Sequence, residues 1–277
     1  MNERNLQSET GSTVQRSAFD VPRSQSALVV FAKAPVPGEV KTRLCPPLTP
    51  DEAATLHGTF VLDVLEQTRL AANPSGRVPK PPPAPRTSHL APSLFDRYLA
   101  CSPASDHVFF KVMEERQAVR LLDQVGPDLG ARMVHAFETL FARGYHRILI
   151  IGTDAPTLPL STYHDAFSLL AAHDVVLGPA LDGGYYLIGL KQPAPELFAE
   201  IPWSTDQVLA LTQRKAAELG LTVGLLKEWR DIDTLPDLQR LIEECAADAK
   251  RPKQNRTFSM RTAGTLQLLA KRLPART

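Results

Sequence analysis

Short β-branched runs alternate with longer helical patterns along most of this chain, and this alternation limits the fold more than any other feature. Runs such as ALVVFA, DRYLAC and HRILII are each followed by a segment whose apolar residues recur at helical spacing. The alternation is typical of a mostly parallel sheet covered by helices on both faces. Open sheets of this kind bind ligands at the carboxyl ends of their strands. We therefore expect a single α/β domain whose functional side chains meet at that edge.

Differences in composition divide the chain. Residues 1–26 are rich in Ser, Thr, Gln and Arg and lack a hydrophobic period, so we expect a disordered N-terminal tail. The folded domain is expected to span residues 27–245. Within it, residues 73–92 hold seven prolines in twenty positions, which is typical of an inserted surface loop with polyproline character.

The segment 246–277 is expected to be a basic C-terminal tail. From Lys250 onward it contains eight Lys and Arg residues and no Asp or Glu. A solvated extension with one short helix near TLQLLAKRL explains this composition, and so does an arm for anionic partners. We favour the first explanation and therefore expect no nucleic-acid partner.

Neither a membrane span nor a secretion signal is expected. The N-terminus has no apolar core segment, and no stretch of 18 apolar residues occurs. Cys45, Cys101 and Cys245 are far apart and form no C-x-x-C pair, which disfavours a disulfide framework or a zinc site. These features predict a cytoplasmic protein.

A basic loop follows the first apolar run. In FAKAPVPGEVKTRL, residues 31–44, Lys33, Lys41 and Arg43 lie on a segment stiffened by prolines and broken by Gly38. The loop matches neither G-x-x-x-x-G-K-[ST] nor G-x-G-x-x-G. Arg offers a planar fork of donors and Lys a compact charge, so the loop suits a di- or triphosphate. A solvated basic loop explains the same residues.

Two segments carry carboxylates that could hold a metal ion. HRILIIGTDAPTLP is a buried strand that ends in Asp154, and WRDIDTLPDL places Asp231 and Asp233 ahead of a helix. Mg²⁺ is commonly held by one or two carboxylates together with the phosphates of a ligand. The alternative is that these carboxylates cap a turn and a helix start.

Two further segments could receive an acceptor. In GPALDGGYYLIGL, Gly183 and Gly184 allow a close approach of the backbone, and Asp182 could orient or deprotonate an acceptor hydroxyl. The alternative is a tight turn with Tyr185 packed in the core. Trp203, in IPWSTDQVL, is either a stacking platform or a core anchor.

Six segments in this order resemble the signature series of the transferase family associated with radical-SAM and selenium-domain genes, the arsenosugar-biosynthesis-type glycosyltransferases: FAKAPVPGEVKTRL, GPDLGARM, IIGTDAPTLP, LGPALDGGYYLIGL, IPWST and DIDTLPDL. The resemblance covers residues 27–243. It implies the GT-A fold of the nucleotide-diphospho-sugar transferases. It also implies a more distant relationship to 2-phospholactate guanylyltransferase and to nucleotidyltransferases of sugar phosphates and the molybdenum cofactor.

The resemblance also implies roles for individual residues. The sequence Lys41-Thr42-Arg43-Leu44 is similar to the K-S-R-L of the guanylyltransferase phosphate loop, and Asp154 matches the metal aspartate. The implied sets are catalytic Asp182, Lys41 and Arg43; nucleotide-binding Lys33, Gly38, Lys41, Thr42, Arg43, Gln124 and Gly130; acceptor-binding Asp182, Gly183, Gly184, Tyr185, Trp203, Ser204 and Thr205; and metal-binding Asp154 and Asp233.

Three functions follow from these expectations. The first is a glycosyltransferase that uses a nucleotide-sugar donor, a small-molecule acceptor and Mg²⁺ or Mn²⁺. The second is nucleotidyl transfer to a phosphorylated small molecule, which is favoured by the basic loop and by the absence of a D-x-D pattern at Asp154. The third is a non-catalytic nucleotide-binding protein.

Overall fold

A seven-stranded sheet forms the centre of the computed structural model, which describes residues 24–73 and 93–273. The sheet order is β3-β2-β1-β4-β6-β5-β7. β6 is antiparallel to both of its neighbours, whereas the other pairs are parallel. The predicted α/β fold with a mostly parallel sheet is confirmed. The strands are β1 Ser26–Lys33, β2 Asp96–Ser102, β3 Arg120–Asp123, β4 Arg147–Ile151, β5 Val175–Pro179, β6 Tyr185–Leu190 and β7 Val223–Leu225.

Seven α-helices occur in the described residues, and the longest begins with a complete capping box. Thr49 accepts a hydrogen bond from the N–H of Glu52, and the Glu52 carboxylate accepts one from the N–H of Thr49. This capping box, with Pro50 at the first helical position, fixes the start of the helix. The helices are α1 Pro50–Ala72, α2 Val108–Gln117, α3 Leu129–Ala142, α4 Leu160–Ala172, α5 Val208–Glu218, α6 Leu235–Ala249 and α7 Met260–Ala270.

The two faces of the sheet are covered by different helices. Leu28 and Val30 of β1 point to the side covered by α1, α2 and α4. Ala27 and Val29 point to the side covered by α3 and α5. This alternation follows from the two-residue period of a strand, and it buries both faces of the central strands.

The basic C-terminal segment differs from the expectation. The boundary expected at residue 245 falls within α6, and α7 packs against α1 and α6 with Leu266 and Leu269 buried. A buried carboxylate, Asp63, also accepts hydrogen bonds from Ser259 and Thr262 at the start of α7. The short helix expected near TLQLLAKRL is present as α7, but the expectation followed the charges and placed it in a solvated tail. The described part of this segment is therefore part of the folded body.

Other expected segments lie outside the described residues. They are the N-terminal tail as far as residue 23, the proline-rich loop from residue 74 to residue 92, and residues 274–277. Their boundaries stay predictions. Among the described residues, no helix is both long and apolar enough to cross a bilayer. The cytoplasmic location likewise stays a prediction.

Candidate functional site

A cavity of about 450 Å³ opens at the carboxyl ends of β1 and β4. Its walls come from the basic loop, the segment after β4, the start of β6 and the loop before α6. The sheet therefore brings together segments that are far apart in the sequence, as expected for an open α/β sheet. The predicted site residues that line the cavity are Lys33, Lys41, Thr42, Arg43, Gln124, Asp154, Tyr185 and Asp233.

Lys41 lies at the centre of the charged groups. Its Nζ contacts Oδ1 of Asp154 and donates to Oδ1 of Asp233 at 2.8 Å. It also donates to the carbonyl oxygen of Ile232 at 2.7 Å. The Lys41 side chain is only 5% exposed, whereas the two carboxylates are 39% and 34% exposed. The basic loop thus places the Lys41 ammonium in contact with both predicted metal-binding aspartates.

The charges of this group stabilise one another. Burial opposes the charge of Lys41, but attraction to Asp154 and Asp233 outweighs it and raises the pKa of the ammonium. Burial likewise opposes the charge of Asp154, and the nearby Lys41 outweighs it and lowers the pKa of that carboxyl. Opposite charges favour the ionised form of each partner. Lys41 and Asp154 are therefore both charged at neutral pH.

Asp231 is a third carboxyl at this cavity. Burial, with the negative charges of Asp154 and Asp233, raises the pKa of Asp231 to about 8. Its Oδ1 is buried and has no hydrogen-bond partner among the described residues. The sequence analysis leaves two roles open for Asp231, a metal contact or a helix cap. The structure adds that it lines the same cavity as Asp154 and Asp233.

His57 lines the cavity although the sequence-based set does not include it. Its Nε2 lies 3.0 Å from the carbonyl oxygen of Lys33, at the end of β1. Burial lowers the pKa of His57, so the ring is neutral at pH 7. A neutral ring with its proton on Nε2 donates to that carbonyl. The spacing of α1 marks this position as buried, but no sequence motif identifies it.

The backbone of the basic loop is left-handed at two residues. Gly38 has φ of 83° and Lys41 has φ of 49°, just before a 3₁₀ turn at Thr42–Leu44. Glycine adopts positive φ without a steric penalty, whereas lysine rarely does so. Gly38 does not line the cavity, so its conformation explains this glycine better than ligand contact does. The unusual backbone at Lys41 directs its side chain toward the aspartates.

Gln124 and Gly130, two of the predicted nucleotide-binding residues, have different surroundings. The amide nitrogen of Gln124 donates to the carbonyl oxygens of Ala32 and Ala100, at 3.1 and 2.8 Å. Only its carbonyl oxygen is therefore left to face the cavity. Gly130 does not line the cavity, and a Cβ there would lie 2.6 Å from the Trp203 ring. Gly130 is thus needed for packing at the start of α3.

The predicted acceptor residues are not gathered around this cavity. Of the seven, all of which the structure describes, Tyr185 lines it. Trp203 packs edge-on against Tyr185 and is stacked with Phe198, at centroid distances of 6.5 and 6.4 Å. It therefore belongs to the core on the α3 side, the second of its two expected roles.

The turn that contains Asp182 also has a structural role. The Asp182 carboxylate accepts from the N–H of Gly184 at 3.0 Å. Gly183 has φ of 87°, and a Cβ there would lie 2.1 Å from the carbonyl oxygen of Asp206. Ser204 and Thr205 are exposed beyond Trp203. Asp182, Gly183 and Gly184 thus belong to a turn that requires glycine, and Ser204 and Thr205 belong to a separate exposed segment. None of these five residues lines the cavity.

The donor groups at the cavity fit a hard divalent cation. The described residues contain no group of three or more His, Cys, Asp or Glu side chains already arranged as a metal site. Asp154 and Asp233 nevertheless converge on one cationic nitrogen, and Asp231 adds a buried oxygen without a partner. Such an all-oxygen set is suited to Mg²⁺ or Mn²⁺ and not to Zn²⁺.

A solved relative identifies the family. It is a protein of Desulfovibrio desulfuricans that is provisionally assigned as a nucleotide-diphospho-sugar transferase. It is 31% identical, the match covers 90% of this chain and 95% of the relative, and the TM-score is 0.69. This chain belongs to the same family. It is thus a member of the GT-A-like superfamily, as the motif series implies.

Other comparisons are less informative about this GT-A-like chain. A family model described as an uncharacterized protein conserved in bacteria (DUF2064) matches residues 88–205. A CMP:2-keto-3-deoxy-manno-octonic acid synthetase is 12% identical over 80% of this chain and 99% of its own, with a TM-score of 0.45. A cytidylyltransferase of Leptospira borgpetersenii is 10% identical over 90% and 94%, with a TM-score of 0.46. At these TM-scores neither supports an inference about activity. No protein with a curated description matches significantly.

Proposed function

We propose that this protein is a metal-assisted transferase that binds the phosphates of a nucleotide at the cavity over β1 and β4. The observation that carries the proposal is that three cations, Lys33, Lys41 and Arg43, and two carboxylates, Asp154 and Asp233, line one cavity. Fixed cations suit a di- or triphosphate, and paired carboxylates suit the divalent ion that accompanies it. The relationship to the arsenosugar-biosynthesis-type glycosyltransferases, and the association with radical-SAM and selenium-domain genes, stay hypotheses.

Glycosyl transfer from a nucleotide-diphospho-sugar is the first form of this proposal. It is supported by the assignment of the Desulfovibrio relative. The bond between the anomeric carbon and the diphosphate oxygen breaks, the acceptor oxygen forms a bond to that carbon, and the proton of the acceptor hydroxyl passes to solvent water. The nucleoside diphosphate leaves with the bonding electrons. Lys33 and Arg43 would hold its oxygens throughout and so stabilise the charge that develops there.

Asp154 and Asp233 would hold the metal ion, with Asp231 beside them. When bound, a divalent cation supplies a positive charge that offsets the charge of the leaving diphosphate. The residues of the chain orient the nucleotide: the basic loop holds the phosphates, and Gln124, which follows β3 and donates its amide N–H groups to carbonyls of β1 and β2, presents its remaining amide oxygen to the cavity.

Nucleotidyl transfer is the second form, and one observation favours it. Asp182, the predicted base for an acceptor hydroxyl, does not line the cavity. A hydroxyl acceptor gains from a base within hydrogen-bond reach, whereas a phosphate acceptor is already ionised and needs none. In this form the acceptor oxygen attacks the α-phosphorus, and pyrophosphate leaves.

The products of turnover test the proposal. The chain is incubated with Mg²⁺, candidate acceptors and either nucleotide-sugars or nucleoside triphosphates, and the products are separated by anion-exchange chromatography. Release of a nucleoside diphosphate supports glycosyl transfer, and release of pyrophosphate supports nucleotidyl transfer. Nucleotide binding without metal-dependent turnover would select a non-catalytic binding protein. A matched control with Asp165→Asn, an exposed residue of α4, should behave as the wild-type chain does.

A further inference from the structure

The ammonium of Lys41 has no proton left for a ligand. A lysine ammonium donates three hydrogen bonds. In this structure its acceptors are Oδ1 of Asp154, Oδ1 of Asp233 and the carbonyl oxygen of Ile232. With 5% of the side chain exposed, the group is satisfied within the protein. Lys41 can therefore contact a phosphate only if it releases at least one of these acceptors.

Lys41 also occupies the place that a metal ion would need. The two carboxylate oxygens converge on its nitrogen, so a cation held by both carboxylates would coincide with the ammonium or lie against it. Two positive charges in contact repel each other strongly in a partly buried site. Lys41 and a divalent ion therefore compete for Asp154 and Asp233.

Lys33 and Arg43 differ from Lys41. Both line the cavity, and among the described residues neither has a carboxylate oxygen within 4.0 Å. Lys33 is exposed. Unpaired cations at the mouth of a cleft attract and orient an incoming anion. A nucleotide phosphate can thus be held by these two residues before Lys41 moves.

We propose that Lys41 is an internal counter-ion that keeps divalent metal away from Asp154 and Asp233 until a nucleotide phosphate accepts its ammonium. Metal and nucleotide then bind cooperatively. The phosphate draws the Lys41 ammonium away from the carboxylates that the metal needs, and the metal releases the ammonium that the phosphate needs. This inference rests on the proposed function for the identity of the anion, a nucleoside diphosphate or triphosphate. It assigns Lys41 as the positioning residue that couples the two ligands.

Mn²⁺ titration of the nucleotide-free chain tests the competition directly. Free Mn²⁺ is counted by electron paramagnetic resonance for the wild-type chain, Lys41→Met and Lys41→Gln. Both variants should bind Mn²⁺ at least about fivefold and up to about 150-fold more tightly, the usual range of coupling between two sites. Lys253→Met is the matched control, because it removes an exposed cation that does not line the cavity. It should change the Kd by less than about threefold.

A second substitution locates the metal. Adding Asp154→Asn to the Lys41→Met chain should abolish the gain in Mn²⁺ affinity. Unchanged or weaker Mn²⁺ binding by both folded Lys41 variants, or a gain that survives Asp154→Asn, would overturn the inference. Circular dichroism checks the fold, and Lys41→Gln retains hydrogen-bond donors in case Lys41→Met unfolds.

The wild-type chain gives an independent readout that needs no substitution. A nucleoside diphosphate should tighten Mn²⁺ binding beyond the chelation measured in its own solution, and Mn²⁺ should tighten the nucleotide by the same factor. Independent binding of the two ligands contradicts the inference but leaves the proposed function intact. If no nucleotide stabilises the chain in a thermal-shift assay, the proposed function is contradicted. The Mn²⁺ titrations of the nucleotide-free chain still test whether Lys41 and the metal compete for Asp154 and Asp233.

Discussion

The backbone N–H of Ile232 donates to the carbonyl oxygen of Asp154 at 2.9 Å. This hydrogen bond joins the segment after β4 to the loop before α6, although 78 positions separate the two residues in the sequence. It holds the carboxylates of Asp154 and Asp233 on the same side of the cavity, where both contact Lys41. The candidate site is therefore fixed by backbone contacts as well as by charge.

Asp154→Asn tests the metal role. If Asp154 holds the metal, the substitution removes the charge while keeping the shape, and turnover should fall at least about a hundredfold in a folded protein. If Asp154 is only a turn cap, Asn serves nearly as well and the change is almost silent. Steady-state rates across a range of Mg²⁺ concentrations distinguish the two results, with Asp165→Asn as the control.

His57→Ala tests whether His57 positions the basic loop. The ring contacts the Lys33 carbonyl oxygen, and one hydrogen bond contributes about 0.5–1.5 kcal/mol. Nucleotide affinity should therefore fall about 2- to 10-fold by isothermal titration calorimetry. His57→Gln keeps a donor and should restore most of the affinity, and His146→Ala, at an exposed position, should change nothing. Equal affinities in all four chains would remove His57 from the site.

The fold is readable from the sequence because local and long-range signals agree. The strands at ALVVFA and HRILII occur where their patterns predict them. The helix α7 shows the limit of that approach. Charge dominated the interpretation of its segment, whereas its packing depends on the facing surfaces of α1 and α6, which no local pattern displays.

The site is only partly readable for the same reason. Conspicuous residue types such as Lys41 and Asp154 stand out in the sequence, and the fold brings them together. His57 does not stand out, because its role depends on the fold: it lies on α1, and its ring contacts the Lys33 carbonyl oxygen at the end of β1. Trp203 and Gly183 also stand out in the sequence, but Trp203 packs against Phe198 and Gly183 adopts a positive φ. Motif residues thus identify the right region without separating ligand contacts from structural ones.

Leu266→Ala tests whether α7 stabilises the domain. Leu266 is 1% exposed in the cluster with α1 and α6, and such a truncation costs about 2–5 kcal/mol. The free energy of unfolding from urea titration should fall by that amount. Leu268→Ala is the matched control on the same helix, because Leu268 is 67% exposed, and it should change stability by less than about 0.5 kcal/mol. Equal small effects would show that α7 adds little to the folded body.

Asp174→Asn tests a pH-dependent contribution to stability. Hydrogen bonds from Thr222, with the Lys191 ion pair, lower the pKa of Asp174 to about 2 from its usual 3.8. A lowered folded-state pKa stabilises the protein above the unfolded pKa, and that stability is lost as pH falls toward 2. Urea unfolding should therefore show a less stable variant at pH 6 and a gap that shrinks below pH 4. A gap that is constant with pH would mean that the carboxylate charge does not contribute.

The central claim is that Asp154 and Asp233 hold a divalent ion next to the phosphates of a bound nucleotide. Crystals grown with Mn²⁺ and the nucleoside diphosphate that gives the largest thermal shift allow a direct measurement, the anomalous scattering of manganese. The account predicts one strong peak within coordination distance of both carboxylates, phosphate oxygens beside Lys33 and Arg43, and the Lys41 ammonium moved onto a phosphate. A bound nucleotide with no manganese peak at this pair, and with Lys41 still on both aspartates, would contradict it.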